Sequence, residues 1–158
     1  GINGLLLADG DKLSALDIPG SAMVFTARIL LIEGDVVVEA VIGEDVGFTS
    51  IIWRNGELVK SFSDCLTVVA FDSSSESMSC ALNSPFRRGG GLIFNDSEEY
   101  EIPEGYVCST NKAVARKDGI LHVGLSSVNG GQPCIWKESR MEQLPVNGFI
   151  TEIKASAP

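Results

Sequence analysis

The sequence predicts an all-β domain assembled from a unit of about 42 residues, and three observations carry that expectation. The first is a short pattern that occurs three times. It reads Ile52-Trp53-Arg54-Asn55-Gly56-Glu57, then Ile93-Phe94-Asn95-Asp96-Ser97-Glu98, then Ile135-Trp136-Lys137-Glu138-Ser139-Arg140. Trp53 and Phe94 stand 41 residues apart, Phe94 and Trp136 42. A period in this range marks stacked or circular repeats. The second is a turn signal followed by an apolar strand: Gly34-Asp35 before Val36 to Ile42, Ser75-Glu76 before Ser77 to Leu82, and Asp118-Gly119 before Ile120 to Leu125. Each of these strands holds a small residue, Ala40, Ala81 or Gly124, placed 13, 13 and 12 residues ahead of the aromatic. The third is that no segment sustains a capped 3.6-residue apolar period, so helix is expected to be almost absent.

Each unit reads as four antiparallel strands. The first strand of each runs over Phe25 to Ile32, Leu66 to Phe71 and, more weakly, Asn111 to Ala115. The second follows the turn signals above. A glycine-bearing loop comes next: Gly43-Glu44-Asp45-Val46-Gly47, Arg87 to Gly91, and Asn129-Gly130-Gly131. Glycine there supplies the positive φ that tight connections need. The third strand carries the aromatic. The fourth follows its turn over Leu58 to Phe62, Glu99 to Pro103 and Met141 to Pro145. The units therefore span about 23–64, 65–106 and 107–149 of one repeat domain covering 1–158.

The ends of the chain extend the pattern. Gly4 to Leu13 reads as a third and fourth strand, with Leu7 at the aromatic position and Asp9-Gly10 at the turn. Ile150 to Ala155 reads as a first strand. Residues 1–22 and 150–158 are thus expected to share one closing blade. Radial closure is one way a β protein removes its open edges.

This arrangement resembles the blade repeats of β-propellers. It is most similar to short-repeat propellers of secreted, largely uncharacterised bacterial proteins, whose unit runs from a valine-rich strand through a Trp-Lys-Asn-Gly turn to Leu-Pro. The matching residues are Trp53-Arg54-Asn55-Gly56, Trp136-Lys137-Glu138-Ser139, Ile102-Pro103 and Leu144-Pro145. The resemblance covers nearly the whole chain. It implies a propeller-like fold of about four blades of four antiparallel strands. It also implies a secreted, periplasmic or cell-surface location, and it leaves function open.

Composition narrows the partners. The chain carries a net charge of −9, which disfavours nucleic acid and anionic membranes, since both attract basic patches. No stretch approaches the ~18 apolar residues of a membrane span. No signal-peptide pattern opens the sequence, and the start on Gly1-Ile2-Asn3 within a unit is what processing or trimming would leave. Cys65, Cys80, Cys108 and Cys134 form no Cys-x-x-Cys pair, and His122 is the only histidine. Buried thiols are expected. If any pair were bridged, Cys65 with Cys108 would be chosen, because both lie at unit junctions.

Few residues invite chemistry. Trp53, Phe94 and Trp136 could stack on sugars, but a residue at the same place in every unit is expected to fill the core. His122, between Leu121 and Val123, reads as a structural histidine, since no Ser or Cys is tied to it by a signature. The carboxylates Glu44, Asp45, Asp72, Glu98, Glu99, Glu101 and Glu104 could include a glycosidase pair, but an acidic chain has many carboxylates in any case. No loop matches a calcium site. Arg87-Arg88 before Gly89-Gly90-Gly91 is the one basic spot and could hold a carboxylate or phosphate, or simply keep a hairpin tip solvated. The triple glycine lacks the Lys-Ser/Thr of a P-loop.

The resulting expectation is a non-catalytic extracytoplasmic binding module with no cofactor and no metal, its partner an unknown protein or glycan. Two alternatives stay open. One is a glycoside hydrolase or lyase with carboxylates at the propeller axis. The other is an assembly fragment whose incomplete blade pairs with a second copy.

Overall fold

The computed structural model describes residues 5–9, 12–18, 22–32, 34–43, 47–73, 78–84, 89–110, 112–117 and 119–154, with the backbone alone at 5–9, 12–14, 32 and 67–73. Every regular element among these residues is a strand, and every strand pairing is antiparallel. The chain divides into two compact units, 1–66 and 67–158.

The first unit opens with β1 (Leu5–Asp9) and β2 (Lys12–Leu16), paired antiparallel from Leu5 opposite Leu16 to Asp9 opposite Lys12. Then β3 (Met23–Ile32), β4 (Asp35–Gly43), β5 (Phe48–Arg54) and β6 (Glu57–Ser63) form a sheet in chain order. Valine and isoleucine dominate β4 and β5 because branched side chains suit a pleated, covered surface. Both of its faces are buried there: Val38, Ala40, Ile51 and Trp53 alternate with Val37, Val41 and Ile52. Leu16 and Ala22 complete the core around Val38, Ala40, Ile42, Ile51 and Trp53. The β5–β6 turn is Asn55-Gly56, with φ of 52° and 87°, the pair of positive values a two-residue hairpin prefers. That turn is tied to the start of β4. Asn55 N–H donates to Val36 O at 2.8 Å, Val36 N–H to Asn55 Oδ1 at 3.0 Å, and Asn55 Nδ2 to Asp35 Oδ1 at 2.8 Å. Arg54 Nε adds a bond to Asp35 Oδ2 at 2.6 Å.

The second unit holds two sheets. One is β7 (Thr67–Ser73), β8 (Met78–Asn83), β9 (Gly91–Asn95) and β10 (Glu98–Glu101) in chain order. The other comprises β12 (Val114–Lys117), β13 (Ile120–Ser127), β14 (Cys134–Lys137) and β15 (Arg140–Gln143), with the short β11 (Tyr106–Val107) paired to the end of β13. One core serves both, with Ala81, Ile93 and Ile102 meeting Leu121, Val123, Leu125 and Trp136. Arg116 of β12 joins the two sheets by reaching Ser79, Asn95 (3.1 Å) and Asp96 (3.5 Å).

The three aromatics take matching register positions. Trp53 faces Val38, Phe94 faces Cys80 and Trp136 faces Val123, each across the second ladder of its sheet. The turns that follow differ in chemistry but not in backbone hand. Asp96 has φ of 59°, and Glu138 and Ser139 have 46° and 64°.

Two expectations need correction. The weak strand expected at Asn111–Ala115 forms further on, at Val114–Lys117, where it pairs with Val123 to Ile120. The strand expected at Ile150–Ala155 does not form over the described residues 150–154. Instead this segment lies on β13. Ile150 N–H donates to Ser126 Oγ at 2.9 Å, Ser109 Oγ donates to Ile150 O at 3.1 Å, and Ile153 N–H donates to Lys112 O at 2.9 Å. Its isoleucines sit above Gly124, where a Cβ would come within 2.7 Å of Ile150 Cγ2. Burying those side chains satisfies the segment locally. Among the described residues β1 pairs only with β2.

Candidate interaction edge

The strand β3 is the longest among the described residues, Met23-Val24-Phe25-Thr26-Ala27-Arg28-Ile29-Leu30-Leu31-Ile32, and carries a single charge. Branched and aromatic residues favour a strand here. Among the described residues it lies at the edge of its sheet and pairs on one side only, with β4. Four of its apolar side chains are largely uncovered. Met23 is 67% exposed, Phe25 58%, Ile29 58% and Leu31 79%. Ile29 and Leu31 stand opposite Val38 and Val36 and continue the face on which the unit's core is built, whereas Met23 and Phe25 lie on the other face, beside Gly43 and Phe48.

The hairpin geometry sets which backbone groups face outward. Ile32 pairs with Asp35 across a two-residue loop, so that pair exchanges hydrogen bonds, and the bonding alternates along the ladder. The even-numbered residues Arg28 and Leu30 therefore bond β4. Ala27, Ile29 and Leu31 turn their N–H and C=O groups to the open edge. Phe25 interrupts this regularity: the register shifts between Val24 and Thr26, a bulge at Phe25. Its ring lies over Gly43, where any Cβ would collide with it, and packs edge-on to Phe48 with centroids 5.1 Å apart.

The strand's charge is withdrawn from the face that carries Ile29 and Leu31. Arg28 projects to the opposite face and pairs with Glu39 directly across the ladder. Glu39 is buried, at 4% exposure. A buried carboxylate stays charged at low cost only when such a partner is supplied.

The residues singled out in the sequence lie elsewhere. Trp53, Phe94 and Trp136 are buried, which leaves these rings no face for a sugar. Trp53 Nε1 is buried with no hydrogen-bond partner. His122 is half-buried on β13, opposite Ala115 and Lys137. Glu98, Glu99 and Glu101 are exposed along β10, and Glu98 and Glu99 point to opposite faces because strand side chains alternate. Glu104 is exposed in the turn before β11. Arg87, Arg88, Glu44 and Asp45 lie outside the described residues, as does the Asp72 side chain. Among the described residues no three His, Cys, Asp or Glu side chains gather as metal ligands, and no helix is long and apolar enough to cross a membrane. The four cysteines are buried free thiols, not a Cys65–Cys108 bridge. Burial pushes Cys108 and Cys134 up to about 11, far from a reactive thiolate at neutral pH.

Sequence reasoning placed a strand at Phe25 to Ile32 but missed its open edge, because a long apolar run reads as a covered strand. The available signal was the absence of polar alternation combined with first position in its unit, which can place a strand at a sheet edge. Comparison with protein-family models, with curated proteins and with solved structures finds no match.

Proposed function

We propose that this chain is a non-catalytic extracytoplasmic interaction module that takes an extended protein segment along the edge of β3. The observation that carries this reading is the open edge itself. It combines outward backbone donors and acceptors at Ala27, Ile29 and Leu31 with an exposed apolar stripe beside them. Strand addition uses both features: main-chain bonds supply affinity and alternate side chains supply selectivity. Glycan binding relies on accessible aromatic rings and polar groups, and the three matched aromatics are buried. A protein is therefore favoured over a glycan.

In this reading the sheets β3–β6, β7–β10 and β12–β15 are propeller-type blades, with the β1–β2 hairpin as part of a further one. The 41- and 42-residue spacings and the matching registers of Trp53, Phe94 and Trp136 support it. The extracytoplasmic placement rests on the resemblance alone.

The test is a display library of short extended peptides screened against the purified chain and against an Ile29→Lys variant. Saturable binding that the variant loses is the expected result. Peptides that bind both proteins equally, or a library that yields no binder, would overturn the reading.

A further inference from the structure

We infer that Asn147-Gly148 is a site of spontaneous covalent modification, where deamidation through a cyclic imide converts Asn147 to isoaspartate and aspartate and loosens the segment 150–154 from β13. The inference is independent of the β3 edge. Three observations lead to it.

The first is sequence. Asn-Gly occurs at 3–4, 55–56, 129–130 and 147–148, and the first of these pairs lies outside the described residues. Glycine leaves its backbone nitrogen unshielded, since it carries no side chain. Once that nitrogen gives up its proton to solvent, it can attack Cγ of the preceding asparagine. A new N–Cγ bond closes a five-membered imide, and the side-chain nitrogen leaves as ammonia. Water then opens the ring. Opening at the side-chain carbonyl gives aspartate, and opening at the backbone carbonyl gives isoaspartate. One water is consumed, one ammonia is released, and nothing is oxidised or reduced.

The second is how the three described pairs are held. Asn55 is held at both ends of its amide. Its Oδ1 accepts from Val36 N–H at 3.0 Å, and its Nδ2 donates to Asp35 Oδ1 at 2.8 Å. Those bonds restrain the side chain from turning onto Gly56 N. Asn129 and Asn147 are exposed, and neither side chain is hydrogen-bonded among the described residues. Their glycines differ. Gly130 N–H closes a turn onto Ser127 O at 3.1 Å, whereas Gly148 N–H reaches Gly131 O only at 3.3 Å. The second distance lies beyond the usual limit of about 3.2 Å, so Gly148 N–H gives up its proton more readily.

The third is position. Leu144 N–H donates to Pro133 O at 2.8 Å, and Ile150 N–H donates to Ser126 Oγ at 2.9 Å. Asn147 lies midway between these anchors, and no strand runs between them. Isoaspartate routes the chain through Cβ and Cγ, which adds one backbone atom there and a carboxylate. The seat beyond it is close-fitting: a Cβ on Gly124 would come within 2.7 Å of Ile150 Cγ2 and 3.0 Å of Ile153 Cδ1. Close packing of this kind responds to small displacements. Aspartate leaves the chain length unchanged and should not disturb the seat.

The experiment is timed incubation of the purified chain in mildly alkaline buffer, followed by peptide mapping. Each converted asparagine gains one mass unit, and enzymatic methylation marks the isoaspartate fraction. Asn147 should convert fastest and Asn129 next. Asn55 should be slower than Asn147 by about tenfold or more, the worth of a hydrogen bond to a charged group. In denaturant, where only sequence acts, the gap between Asn55 and Asn147 should close. Asp35→Ala should speed Asn55 and leave Asn147 unchanged. Hydrogen exchange on the aged chain should show the Ile150 and Ile153 amides exchanging faster, while Asn147→Asp keeps the rates of the fresh chain.

No conversion at Asn147 in the folded chain overturns the inference. So does equal conversion at Asn55 and Asn147, or a gap between them that persists in denaturant. Conversion of Asn147 to isoaspartate with unchanged exchange at Ile150 and Ile153 overturns the link to the segment on β13.

Discussion

The edge strands β3 and β15 close off sheets of similar construction, yet they meet solvent in opposite ways. Arg140-Met141-Glu142-Gln143 is short, and two of its four residues are charged. The edge β10, Glu98-Glu99-Tyr100-Glu101, is guarded still more heavily, by three carboxylates in four residues. Short length and charge are the ordinary protections of an open edge. Ten residues long, β3 has neither protection on its exposed stripe. The two aromatic strands inside these sheets, β5 and β14, are by contrast alike in burying their tryptophan. The difference between the sheets therefore lies in how they end.

The largest expected effect separates the covered part of the first sheet from its edge. Trp53→Ala should cost about 3–5 kcal/mol of stability, the range for deleting a buried aromatic. Ile29→Lys, two strands away, should stay within about 0.5 kcal/mol, as exposed substitutions do. Chemical denaturation of both variants checks this directly. Trp53→Phe sharpens the point. It should cost less than Trp53→Ala, because it keeps much of the ring and removes an indole N–H that has no partner.

A second test asks whether Gly124 is required by the segment lying on it. Gly124→Val should destabilise the second unit by about 1–3 kcal/mol through overpacking against Ile150 and Ile153. Hydrogen exchange should show the Ile150 and Ile153 amides losing protection first, since their bonds to Ser126 and Lys112 depend on that seat. Unchanged protection would mean the segment is held by other contacts.

The hairpin turns offer a smaller effect. Asn55-Gly56 uses residues suited to positive φ, whereas Glu138-Ser139 places two ordinary residues there. Glu138→Asn should stabilise the β14–β15 hairpin by about 0.5 kcal/mol, because Asn tolerates the left-handed region better. A melting point that falls would show that the Glu138 side chain contributes more than its backbone conformation costs.

The smallest effect concerns acid. The Asn55 amide, and then Arg54, hold the Asp35 carboxyl below its ordinary value of 3.8. A lowered folded value means that the contribution is present above the ordinary carboxylate range. It is lost as pH falls through the folded value. Asp35→Asn should therefore lower stability slightly at neutral pH and flatten the acid limb of the stability curve below about pH 4. Urea titrations across that range would show it, and identical acid limbs would rule it out.

Much of the fold was legible because it is encoded locally. Turn residues such as Asn55-Gly56, branched runs such as Val36 to Ile42, and the spacing of Trp53, Phe94 and Trp136 act over a few residues or one unit. Strand type and hairpin connectivity depend on those short-range preferences, so the all-β class followed from sequence. The candidate edge was not legible. Ile29 and Val38 are equally apolar in sequence, and only the sheet order leaves one exposed and the other buried.

The C-terminal segment makes the same point. Ile150 to Lys154 has the composition of a strand, but a single missing side chain at Gly124 creates a seat where two isoleucines can be buried. Composition by itself determined which stretches extend and where they turn. Tertiary structure decided which apolar faces are covered and which edge stays open, because burial depends on neighbours far apart in the chain, and no local preference encodes them.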